Sequence, residues 1–183
     1  MATTVPVRAA GRVVLPLSVG AAVAVVLGLY GRLHDPTGVA VNVAGFSSPQ
    51  SVKAWLATLA LLLALVQLVS AMALFGHFRA LAGRKWIGPL HRWSGRAAVA
   101  VTLPVVAHCL YAFGFQYDEP RVLLHSLLGC FFYGAFAAKM LTLSRDGLPR
   151  WLLPVVGGAV FTGLVGLWLT SSLWFFTTFG ITR

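Results

Sequence analysis

Acidic residues are scarce: Asp and Glu together number 4, against 14 Lys and Arg. None of the four, Asp35, Asp118, Glu119 and Asp146, falls inside a long apolar run. That absence argues against a transporter relaying protons through intramembrane carboxylates. Cysteine is limited to Cys109 and Cys130, which sit in apolar runs without metal-site spacing. A thiolate zinc centre is thereby excluded, and both read as small buried hydrophobes. No C-x-x-C-H segment is present, so covalently attached haem is excluded. No Gly-rich dinucleotide fingerprint is present either, and the chain has no room for a soluble flavin domain. Charged residues make up 10% of the chain, where a soluble domain carries about 25%.

What is present is hydrocarbon. The 183 residues are 58% hydrophobic, with a mean hydropathy of +0.85. This composition reads as an all-α, polytopic helical bundle in a membrane, a single domain over residues 1–183. Apolar runs predict five transmembrane helices, at 13–30, 52–75, 90–115, 121–143 and 151–176. The first run is long for a secretory signal and no A-x-A site follows it, so it reads as a retained helix. Pro89 and Pro120 suit helix starts, where a missing N–H costs nothing. Pro104 lies inside the third helix and predicts a kink there. Gly157, Gly158, Gly163 and Gly166 predict close packing by the fifth.

The net charge of +10 follows from the positive-inside rule rather than from nucleic-acid binding. With the N-terminus inside, ten of the 14 Lys and Arg fall on the inner side, from the basic tail Met1–Arg12 to Arg150. Arg32, Lys53, Arg121 and Arg183 fall outside, with three of the four acids. The chain therefore reads as a multi-pass protein of the cell membrane with a cytoplasmic N-terminus.

The chemistry-bearing residues of these runs are histidines. His91, His108 and His125 lie within residues 91–129, and His77 ends the second helix. An ionisable residue in a membrane helix is costly and marks function by default. His77 and His91 sit near the inner face, His108 and His125 near the outer one. His91 and His108 are 17 residues apart on one helix, about 25 Å along its axis. They therefore cannot ligate one iron, and each could contribute to a different one. No four ligands converge as zinc requires, whereas a b-type haem needs two imidazoles and an apolar slot. Gly95 and Gly129 follow His91 and His125 by one turn and leave space for a flat macrocycle. Arg92, Arg96 and Arg84 could meet inner propionates, and Arg121 outer ones. Trp93, Tyr111, Phe113, Phe131, Phe132 and Tyr133 could wall the slots. The expected outer pair is His108 with His125, on helices joined by a short turn. The structural alternative is a set of histidines that hydrogen-bond between helices or face water; His34 reads as an ordinary loop residue.

The phrases LHRWSGR and LHSLLG, with His108 between them, resemble the four-helix core of cytochrome b561. HRWSGRAAVAVTLPVVAHCLY is also similar to the histidine helix of ferric-reductase-like transmembrane proteins. The Ala-, Gly- and Arg-rich composition is similar to that of membrane proteins from high-GC Gram-positive bacteria. The resemblance covers about residues 70–143. It implies one or two b-type haems, a helical bundle and transmembrane electron transfer. By the resemblance His91, His108 and His125 are ligands, and at its edge His77. The chain departs from it in having no histidine on the fifth helix and two on the third, which leaves haem number and pairing open. An oxidoreductase of this kind would draw electrons from a quinol or a partner protein. The competing expectation is a haem-free accessory or assembly subunit of a membrane complex. Lipid is a partner in either case, nucleic acid in neither, and an oligomer is compatible with both.

Overall fold

In a run of Leu, Val and Ala, every backbone N–H and C=O must bond within the chain once water is gone, and the helix does this locally. The computed structural model, which describes residues 7–81 and 83–182, is helical throughout its long apolar runs, and no strand occurs among the described residues. The helices are α1 (Val7–Leu33), α2 (Pro49–Leu74), α3 (Ile87–His108), α4 (Pro120–Leu143), α5 (Leu152–Trp168) and α6 (Trp174–Phe179). Two π-helical segments interrupt the regular winding. Cys109–Phe113 continues α3, and Leu169–Leu173 joins α5 to α6. Counted with these continuations, five helices are long and apolar enough to cross a membrane. Between 11% and 22% of each spanning window is buried. Most of the apolar surface thus faces outward, as a hydrocarbon solvent allows and water does not.

The helix ends depart from the expected ones for identifiable reasons. α1 begins at Val7 and takes in part of the expected basic tail, where Val7, Ala9 and Ala10 extend the apolar run. Met1–Pro6 of that tail, and Arg183, lie outside the described residues. α2 starts three residues early because Ser48 caps it, its hydroxyl accepting from the Ser51 N–H at 3.1 Å, with Pro49 following. α3 runs unbroken through Pro104.

The described contacts group into two compact units. The first comprises residues up to Asp35 and Phe115–Gly166, hence α1, α4 and most of α5. Here α1 and α4 meet at glycine. A Cβ placed on Gly20 would lie 2.6 Å from the Gly134 carbonyl oxygen and 2.8 Å from the Ala138 Cβ. One placed on Gly134 would lie 2.5 Å from the Gly20 oxygen and 2.9 Å from the Ala24 Cβ. Gly20 and Ala24 face Gly134 and Ala138, a small-x-x-x-small pair on each helix. α5 adds Leu152 and Val156, which pack with Ala138. Gly163 admits the Phe131 ring, with a Cβ distance of 3.2 Å.

The second unit comprises Pro36–Gly114 and Leu167–Arg183, hence α2, α3 with its π segment, and the C-terminal turns. The C-terminal turns are fastened to α2 by polar bonds: Trp168 Nε1 donates to Thr58 Oγ1 at 2.9 Å and Trp55 Nε1 to the Thr182 carbonyl at 2.9 Å. The loop after Pro36 closes the other free end. Thr37 and Gly38 donate their N–H groups to the Tyr111 and Ala112 carbonyls of the π segment, at 3.2 and 3.1 Å.

Candidate functional site

His108 is the last α-helical residue of α3, and the π segment begins immediately after it. Residues five apart on an α-helix point about 140° away from each other. In the wider π turn, where i bonds to i+5, they come onto one side. The Phe113 ring therefore lies beside the His108 imidazole, with centroids 5.5 Å apart and planes tilted by 34°. His108 Nε2 is buried and has no hydrogen-bond partner among the described residues. Such atoms are rare in native proteins, because leaving one unmade forfeits its hydration without return.

Lys53 joins this group from the first turns of α2. Its ammonium lies 4.2 Å from the centroid of the Phe113 ring. The two ring contacts together put the ammonium within about 10 Å of the His108 ring. Charge counting along the sequence marks Lys53 only as an outer cation. Its position near the start of an apolar run, with no acid close by along the chain, is the signal that sets it apart.

His91, near the start of α3, is held differently. Its Nδ1 lies 2.8 Å from Ser70 Oγ on α2. Ser70 Oγ also donates to the Val66 carbonyl at 2.6 Å. A hydroxyl has one proton. With that proton directed at the Val66 carbonyl, Ser70 accepts from His91, which assigns the proton of the imidazole to Nδ1. Gln67 Nε2 donates to the His91 carbonyl and, at 2.7 Å, to Ser94 Oγ. The open flank of Gly95 is taken by the same amide: a Cβ there would lie 2.9 Å from Gln67 Oε1. Gln67, Ser70 and Ser94 are not among the residues that the sequence singles out. The pairs 67/70 and 91/94, each three residues apart and thus on one helix face, are the signal that could have found them.

The remaining predicted residues fall in both units. His77 is exposed just beyond α2. Arg92 and Arg96 are exposed on α3, and the Arg96 guanidinium lies 5.0 Å from the centroid of the Trp93 ring. His125 and Gly129 are half-buried on α4 in the first unit. Arg121, also there, pairs with Glu119 at 3.8 Å. No group of three or more His, Cys, Asp or Glu that could hold a metal ion occurs among the described residues. Ligation by two imidazoles does not need one. An apolar cavity of about 350 Å³ lies beside Ser70, lined by Leu65, Val69, Ala73, Trp86 and Leu90 among others.

A family profile described as Family of unknown function (DUF6529) matches residues 13–183, and the chain belongs to that family. Neither the comparison with curated proteins nor that with solved structures gives a match.

Proposed function

We propose that this member of the family is a multi-pass b-type haem protein of the cell membrane that moves electrons across it. The observation that carries the reading is the buried, unpartnered Nε2 of His108. An imidazole nitrogen withheld from water and from every described donor is suited to an iron ion. The haem itself, when bound, supplies one-electron redox chemistry. The chain's contribution is the rest. His108 presents its nitrogen at a π segment, a feature that recurs at functional sites. Phe113 holds the imidazole plane, and the apolar helices exclude water. Ser70 orients His91 through Nδ1, as residues behind a metal-binding imidazole do. His91 and His125 are the candidates for further ligation, with His77 at the membrane edge. The exposed Arg92 and Arg96 would meet propionates at the inner face. These 183 residues carry no Gly-rich dinucleotide fingerprint, so the electrons would come from a quinol or a partner protein.

The visible spectrum of protein purified from haem-replete cells, oxidised and then reduced, tests this. A b-type spectrum that sharpens on reduction and is lost in His108→Ala is the expected result. A folded, colourless preparation would sink the reading.

One observation favours a second reading, the haem-free accessory or assembly subunit. His91 already serves a polar clamp between α2 and α3, with Gln67, Ser70 and Ser94. Histidines used only in this way would leave the protein colourless and its fold unchanged by haem starvation.

A further inference from the structure

Charge is divided unevenly along this chain. All four acids, Asp35, Asp118, Glu119 and Asp146, belong to the first unit. Among the described residues, the second unit holds Lys53, Arg79, Arg84, Lys85, Arg92 and Arg96 and no carboxylate side chain. Most of these cations are exposed, as basic residues at a membrane edge should be. Lys53 is half-buried. A lysine near a helix end ordinarily extends its amine to water. Here the ammonium is held 4.2 Å from the centroid of the Phe113 ring and forms no ion pair among the described residues. That same ring lies against His108, whose Nε2 is buried and unpartnered.

We infer that Lys53 is a positioning residue for charge: its fixed positive charge raises the reduction potential of the haem bound at His108. The inference rests on the haem reading. Adding an electron to the haem lowers its net positive charge by one, and a cation held nearby favours that change. The alternative for Lys53 is plain amphipathic packing, with its charge screened by water. At about 10 Å and an effective dielectric of about 20, one unit charge changes a one-electron equilibrium about tenfold. Tenfold corresponds to 59 mV for one electron. The apolar setting provides little screening by salt.

The experiment is an anaerobic redox titration with dithionite as reductant, followed by visible absorption, on the purified full-length protein. It compares wild type with Lys53→Met, Lys53→Arg and, as a control, Lys85→Met. Lys85 is exposed in the loop before α3, at the far end of that helix from His108. The midpoint should fall by about 59 mV in Lys53→Met, for the tenfold loss above. It should stay near wild type in Lys53→Arg and Lys85→Met. Lys53→Gln replaces the Met variant if the latter does not fold. An unchanged midpoint in the neutral variants overturns the inference while leaving haem binding intact. So does an equal fall in Lys53→Arg, since the effect would then belong to shape and not to charge. Absence of haem from the wild type overturns the reading beneath it and is seen before any variant is titrated.

Discussion

His91 Nδ1 and Ser70 Oγ lie 2.8 Å apart across the α2–α3 contact, and the Ser70 proton is directed at the Val66 carbonyl. The bond joins two helices through an imidazole whose tautomer is thereby assigned. Interhelical hydrogen bonds in membrane proteins contribute about 0.6 kcal/mol on average, less than the low dielectric suggests, because the separated helices also find partners. Ser70→Ala should therefore destabilise the protein modestly, by about 0.6–1 kcal/mol. Gln67→Leu should cost more, since it strips two acceptors of their partner and puts a branched side chain against Gly95. Unfolding in detergent micelles ranks the two, and the opposite order would contradict the clamp.

The glycine contact of α1 and α4 predicts a sharp position dependence. A methyl group on Gly20 would meet the Gly134 carbonyl at 2.6 Å, backbone that cannot rotate away. Gly20→Ala and Gly134→Ala should each cost about 1–3 kcal/mol by overpacking. A methyl group on Gly157 would meet nothing within 4 Å, and Gly157→Ala should be neutral or slightly stabilising through helix propensity. Equal losses at all three positions in a thermal-shift assay would show that α1 and α4 do not meet this way.

His108 gives opposite signs with and without haem. A buried nitrogen without a partner costs about 1–3 kcal/mol of lost hydration. His108→Leu removes that cost, so haem-free protein carrying it should unfold later than haem-free wild type. The same substitution should abolish the haem bound there. His34→Ala should leave haem content unchanged, because His34 is engaged locally, its ring stacked on Tyr30 at 5.1 Å. On the haem reading, loss of haem per chain in His91→Ala or His125→Ala would identify that residue as a further ligand. Destabilisation of the haem-free protein by His108→Leu would mean that Nε2 has a partner after all.

Orientation follows from charge. A reporter fused after Arg183 should read as external, and one inserted in the Arg79–Lys85 loop as cytoplasmic, given the ten-to-four division of the 14 Lys and Arg. The reverse pattern would exchange inner and outer faces for every residue discussed.

Sequence alone determined the helical class and the number of long apolar helices. Both depend on a local quantity, hydropathy summed over a window long enough to span a bilayer, and on prolines such as Pro120 that suit helix starts. It also drew attention to His91 and His108, because a histidine in hydrocarbon is conspicuous whatever surrounds it. The packing glycines were harder to choose. Gly157 and Gly158 meet nothing within 4 Å, whereas Gly20 and Gly134 bring two backbones together. Small residues permit contact on any face, and only the partner helix decides which face is used. Phe113 came to His108 through a π register, a change in winding that no periodicity of apolar residues announces, and Lys53 came to Phe113 from another helix, α2. Gln67, Ser70 and Ser94 became a site only when α2 and α3 were set side by side. Hydropathy is additive along the chain and can be read in one dimension. Hydrogen bonds and ring contacts across helices depend on rotation and depth, which only the tertiary structure supplies.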